Sequence, residues 1–289
     1  MDEASVSESL KRRQKAQQRA SGLLAQDEPS PFQVINPEGM APGMIVCDHA
    51  SNAVPRSLHR LGLSEAVLNQ HISYDIGAAG VAARLSEILD MPAVLAGYSR
   101  LVVDLNRPID DFTCIREISD GIVVPGNRHL PVEAQKLRFQ ALHETYHGEV
   151  SRIIAAKRRI ADAPAIISVH SCTDQMRGRK RPWHIGVLFN EDDRLSQSVI
   201  RLLRAQNPDL TIGENQPYSG LDAYGHTIET HALPAGLPNV LFEVRQDMIS
   251  DTAGQSRFAE ILGKALGPAL SEPGQLCLFH ALASKGQVL

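Results

Sequence analysis

The stretch MIVCDHASN (44–52) runs apolar from Met44 to Cys47 and then turns abruptly polar at Asp48 and His49. A short apolar run closed by a polar cluster reads as a buried strand that ends at a crevice. The same change of character recurs downstream. AIISV (165–169) runs into His170 and Ser171, and NVLF (239–242) runs into Glu243, Val244, Arg245, Gln246 and Asp247. PAVLA (92–96) leads through Gly97, Tyr98 and Ser99 to Arg100, while LVVDL (101–105) leads to Asn106, Arg107 and Pro108.

Working outward, the expected strands are Met44–Cys47, Ala93–Ala96, Leu101–Leu105, Ala165–Val169, Ile185–Phe189 and Val240–Phe242. Between them, apolar residues recur at intervals of about three and four, as in Val81, Leu85, Ile88 and Leu89, which is the helical period. Helices are expected over 64–71, 75–90, 131–160, 193–206 and 254–266, with Pro131 and Pro164 bracketing the longest. Strands alternating with helices imply an α/β fold of three layers, with a mostly parallel or mixed central sheet covered on both faces. In such sheets ligands bind in the crevice outside the carboxyl ends of the strands. The polar residues that follow the apolar runs are therefore placed where one crevice can collect them.

The chain of 289 residues is ample for a sizeable core, and 43% hydrophobic with 21% charged residues is ordinary for a globular protein. Residues 1–30 are polar and are expected to form a flexible arm, with 31–289 as a single α/β domain. A net charge of -4 offers no attraction to nucleic acid or an acidic membrane, and neither is expected as a partner. The short basic run Arg177, Arg179, Lys180 and Arg181 suits a solvated loop or the rim of a small-anion site. No apolar stretch approaches the roughly 20 residues that span a bilayer, and the N-terminal residues lack the apolar centre of a signal peptide. Cys47, Cys114, Cys172 and Cys277 are widely spaced, which argues against a disulfide framework and for a reducing, cytoplasmic location.

A catalytic zinc takes three protein ligands, commonly His with Asp or Glu, and keeps a position open for water. His49 and His170 are the first two candidates. Each also has a plainer reading, as a hydrogen-bonded structural residue at a strand end. The third ligand needs an anionic oxygen. Asp75, in HISYDIGAAG (71–80), serves equally as a ligand or as the cap of the helix that follows it. Asp48 and Asp104 compete for the role, since either can orient a metal-bound imidazole from behind.

A rival motif lies on the long helix. His143-Glu144-Thr145-Tyr146-His147 matches H-E-x-x-H, in which two histidines on one helical face grip zinc and the Glu acts as base. Against this reading, Val150 and Ile153 stand where the longer pattern has its Gly and third His. Leu137, Leu142, Val150, Ile153 and Ile154 also form an apolar stripe of the kind a structural helix needs.

Together, the segments CDHASNAVP (47–55), HISYDIGA (71–78), YSRLVVDLNRP (98–108), SVHS (168–171) and FEVRQD (242–247) resemble the N-formylglutamate amidohydrolase family, in the family's order. The resemblance implies a phosphorylase/hydrolase-like fold, distantly similar to zinc carboxypeptidases and N-acetylmuramoyl-L-alanine amidases. It also implies one Zn²⁺ on His49, Asp75 and His170, with Glu243 as the catalytic base, and so favours Asp75 as ligand over cap. The implied reaction is hydrolysis of a linear amide, N-formylglutamate or another N-acyl amino acid. The chain matches more closely a shorter branch of the family, whose substrate need not be N-formylglutamate. Arg100 and Arg107 are the expected clamps for substrate carboxylates, because a planar guanidinium bonds a carboxylate through two parallel contacts. Asn106 supports that contact, and His231 and Arg245 are candidates at the rim. The alternatives are a zinc peptidase or cell-wall-type amidase on the same residues, or a non-catalytic ligand-binding member of the fold.

Overall fold

The computed structural model describes residues 22–220 and 225–277. Its centre is a mixed sheet of seven strands. In chain order these are β1 (Phe32–Ile35), β2 (Gly43–Cys47), β3 (Ala93–Ala96), β6 (Ala165–Cys172), β9 (Ile185–Leu188), β10 (Ile212–Glu214) and β11 (Asn239–Arg245). The short hairpins β4 (Ile118–Ser119) with β5 (Ile122–Val123), and β7 (Gln175–Met176) with β8 (Arg179–Lys180), stand apart from it. The sheet order is β1-β3-β2-β6-β11-β9-β10. The central strands β3, β2, β6 and β11 run parallel, whereas β1 pairs antiparallel with β3 and β9 antiparallel with β11.

The helices are α1 (Glu65–Leu68), α2 (Ala78–Leu89), α3 (Val132–Arg138), α4 (Glu144–Lys157), α5 (Arg194–Gln206), α6 (His226–His231) and α7 (Thr252–Ser271). A π-helical turn, Phe139–His143, joins α3 to α4, so the single helix expected over 131–160 is interrupted. Alternation along the strands divides the core. Ile45, Cys47, Ile167, Val169, Val240, Phe242 and Val244 pack with α2, α5 and α7, where Leu85, Val199, Phe258 and Leu262 are buried. Met44, Val46 and Ile166 face the opposite layer, with Leu142, Tyr146, Val150 and Ile153 of the long helical stretch. Each fully buried Leu, Ile, Val or Phe side chain contributes about 1.5–3 kcal/mol to holding these layers together. The three-layer reading of the sequence therefore holds.

One expectation needs correction. Leu101–Leu105 is not a strand; it is a series of turns in which Val102 N donates to Ser99 O (2.9 Å) and Asp104 N to Cys114 O (2.7 Å). All five residues are buried, so the run carries the hydrophobicity of a central strand without its backbone. Of the expected arm, residues 1–21 lie outside the described residues. Leu23 and Leu24 are 3% and 6% exposed, and Ser57 Oγ donates to Leu23 O at 2.8 Å. Among the described residues no helix is long and apolar enough to cross a membrane, and Cys47, Cys114 and Cys172 are free and buried.

Candidate metal centre

Three adjacent parallel strands point their carboxyl ends at one place. His49 follows β2, His170 lies near the end of β6, and Glu243 is its direct neighbour on β11, with which it is paired in register. The fourth element is the segment before α2. Asp75 N donates to His49 O at 2.9 Å, and α2 begins only at Ala78, capped by Gly77. Asp75 therefore does not cap the helix, and its carboxylate turns toward the imidazoles. Gly77 makes this possible: its φ is +81°, and a Cβ there would stand 2.1 Å from Ile249 O. Only glycine accepts both conditions.

The donor atoms converge. Asp75 Oδ2 is 2.8 Å from His170 Nδ1 and 3.3 Å from His49 Nδ1, and the two rings lie with centroids 4.9 Å apart. His49, Asp75 and His170 each offer a ligand atom within 4.8 Å of the other two. Ligands about 2.0–2.1 Å from a tetrahedral zinc stand about 3.3 Å from one another, so this spacing suits that ion. The far side of each ring is also held. His49 Nε2 is 2.8 Å from Asp104 Oδ1, and His170 Nε2 is 3.3 Å from Asp48 Oδ2. The carboxylate behind His49 accepts its Nε2 proton and leaves Nδ1 for a cation, while Asp48 stands at ion-pair distance behind His170. Asp48 and Asp104, which compete with Asp75 in the sequence, thus stand on the far side of the two imidazoles from Asp75.

Asp48 is in turn fixed by Tyr146 and Thr227, whose hydroxyls donate to Oδ1 at 2.8 and 2.9 Å. His49 and His170 are each 2% exposed, and Asp75 is 5%. Burial opposes charge here, yet the His170 hydrogen bond and charge bring Asp48 down to about 2. Asp48 and Asp75 likewise overcome burial to raise His170 to about 10. The carboxylates of Asp48, Asp75 and Asp104 around the two imidazoles give this corner of the pocket a field that suits a cation. The donor set of two imidazoles and a carboxylate therefore fits Zn²⁺.

Glu243 is the exception among the acids. Burial, the largest cause, pushes its carboxyl up to about 7, helped by the Asp75 charge and resisted by His170, Arg100 and His49. Its Oε2 is buried with no hydrogen-bond partner. A general acid–base needs both properties, a free oxygen at the site and a pKa close to neutrality.

A cavity of about 420 Å³ opens on this cluster, with His49, Asp75, His170, Glu243, Arg100, Asn106 and Arg107 in its wall. Arg100 donates to Asp104 Oδ2 at 2.9 Å and to Asp75 Oδ1 at 3.4 Å, so it braces both carboxylates as well as facing the cavity. Arg116, which no motif in the sequence marks, lines the same wall and lies 3.5 Å from Asp104. Arg177, from the basic run, is there too. The two rim candidates lie elsewhere. Arg245 is held by Asp247, with Nε to Oδ1 at 2.8 Å and Nη2 to Oδ2 at 3.1 Å, and it also reaches Arg181 O. His231 stacks on His147 with centroids 5.2 Å apart. The helix-borne zinc motif also fails as a hydrolytic centre. Glu144 is exposed, and the motif residue that reaches the cleft's acids is Tyr146.

Comparison with known proteins agrees with this geometry. A gene product of Agrobacterium tumefaciens, Atu2144, is 36% identical, covering 86% of this chain and 98% of its own, with a TM-score of 0.82. The N-formylglutamate amidohydrolase of Ralstonia eutropha JMP134 shares the fold at 17% identity and a TM-score of 0.61, covering 83% of this chain and 97% of its own. Among curated proteins no match reaches significance. The family model described as N-formylglutamate amidohydrolase matches residues 41–250, a span that takes in every cleft residue from His49 to Glu243. The chain belongs to the N-formylglutamate amidohydrolase family.

Proposed function

We propose that this amidohydrolase cleaves the C–N bond of a small anionic N-acyl amino acid, N-formylglutamate or a close analogue, with one zinc ion on His49, Asp75 and His170. The carrying observation is the paired arrangement of the imidazoles: each turns Nδ1 to Asp75 and Nε2 to a carboxylate, beside the unpartnered Glu243 Oε2. A zinc ion in such a ligand set lowers the pKa of water from about 15.7 toward about 7 and polarises an amide carbonyl.

The protein's own groups do the rest. Asp104 holds the tautomer and orientation of His49, and Asp48 sets a negative charge behind His170. Glu243 accepts a proton at Oε2 from the attacking water, then delivers it to the amine nitrogen as the C–N bond breaks. Arg100, fixed by Asp104 and Asp75, sets positive charge beside the carbonyl oxygen as it becomes negative. Arg107 and Arg116 line the cavity where substrate carboxylates would lie, and Asn106 braces that wall by accepting from Thr227 N at 3.1 Å. A volume of about 420 Å³ suits a substrate of amino-acid size better than a polymer. Residues 31–289 act as one catalytic domain. The free core thiols Cys47, Cys114 and Cys172 are in keeping with a cytoplasmic location.

The test is release of acid and free amino acid from a panel of N-formyl and N-acetyl amino acids. Chelator-stripped protein is expected to be inert, and added zinc to restore turnover, with acidic amino acids preferred. Undiminished turnover by metal-free protein would refute the zinc assignment. Turnover confined to neutral or cationic amino acids would refute the substrate class.

A further inference from the structure

A second group of imidazoles converges outside the cleft. His143 closes the π-helical turn, His147 lies one helical turn beyond it, and His226 and His231 open and close α6. His143, His147 and His226 each bring a ligand nitrogen within 4.8 Å of the others. The ring centroids of His143 and His147 are 4.4 Å apart, and they stand 5.5 and 5.2 Å from that of His226.

The bonds behind two of these rings fix what they present. His143 Nε2 is 2.9 Å from Arg107 O, and His147 Nε2 is 2.8 Å from Leu105 O. A carbonyl oxygen only accepts, so both Nε2 atoms carry the proton and both Nδ1 atoms expose a lone pair. Backbone carbonyls hold metal-binding imidazoles in this way. Burial pushes His147 down to about 3 and His231 to about 4, and it lowers His143 and His226 as well, so the rings are neutral near pH 7. The lone pair on His147 Nδ1 is met by His231 Nε2 at 2.9 Å, which must then donate. The backbone carries an independent sign: π-helical turns within α-helices are frequent at functional sites, and this one ends at His143.

We propose that His143, His147 and His226 form a second site, distinct from the cleft, for a transition-metal dication that favours imidazole, such as Zn²⁺ or Cu²⁺. His231 stands beside it as the group displaced from His147 Nδ1 or recruited as a fourth ligand. The site is not hydrolytic, because Glu144 is exposed. Its role is to tie α6 to α4. Thr227, the second residue of α6, donates its hydroxyl to Asp48 and its backbone N–H to Asn106, so a metal there braces the acid behind His170. The preference for imidazole-binding metals follows from an all-nitrogen set.

The experiment uses the full chain without a histidine tag, stripped by chelator and dialysed against micromolar Zn²⁺, with bound metal counted by mass spectrometry. Two equivalents are expected in the wild type, falling to one in His226→Ala and to one in His49→Ala/His170→Ala. Cu²⁺ added to the latter variant should give an electron paramagnetic resonance spectrum split by imidazole nitrogens. A wild-type count that His226→Ala leaves unchanged overturns the second site. A count of one that His226→Ala abolishes removes the cleft site instead and keeps this one. The wild-type count needs no folding control, and retained cleft zinc reports the folding of His226→Ala.

Discussion

Glu243→Gln is expected to keep its cleft zinc and to lose turnover by about 10²–10⁴-fold, the usual share of a general acid–base. The substitution is nearly isosteric, and the residue it alters has an unpartnered buried oxygen, so no ion pair is broken. The fold should be unaffected. Glutamine cannot take a proton from water near neutral pH, and it cannot return one to the leaving amine. The loss should therefore appear in kcat, with KM little changed, because the proposed substrate would set its carboxylates against Arg107 and Arg116 and not against Glu243. Steady-state kinetics with a zinc count on the same sample checks this. Near-normal kcat in a zinc-loaded Glu243→Gln protein would require another base.

His170→Ala is expected to fail earlier, at metal binding. Removing one of three ligands should cost one equivalent of zinc and with it turnover, a loss on the order of 10³-fold or more. It also strands two carboxylates. Asp48 and Asp75 both face His170 and are 0% and 5% exposed. Without the imidazole they repel each other across a small cavity, so a drop in thermal stability of the metal-free protein is expected as well. Metal analysis, kinetics and a thermal melt on one preparation separate these effects. His170→Ala that retained full metal content and activity would place the centre elsewhere.

Much of the site was legible because its residues sit at ends of parallel strands, and apolar runs that stop at a polar cluster are visible in one dimension. Asp48-His49, His170 and Glu243 are all of this kind. Asp75 was ambiguous for a physical reason: an Asp just before a helix looks the same whether it caps or coordinates. Only the left-handed Gly77 takes the cap role from it. LVVDL misled because burial on all sides produces the same composition in a strand and in packed turns. Arg245 pairs with Asp247 two residues on, and its place outside the cavity depends on the path of the chain after the strand. His231 required the placement of α6, which no local pattern supplies. Arg116, Tyr146 and Thr227 act through contacts across the fold with Asp104 or Asp48, and nothing nearby in the sequence announces them. The edge strands Phe32–Ile35 and Ile212–Glu214 were missed because runs so short carry little periodicity.

Anomalous X-ray scattering at the zinc edge, from crystals of the zinc-loaded full chain, tests the centre directly. A peak is expected between His49 Nδ1, His170 Nδ1 and Asp75 Oδ2, at about 2.0–2.2 Å from each. Zinc found only at the His143–His147–His226 cluster, with the space between His49 and His170 holding none, would contradict the catalytic assignment.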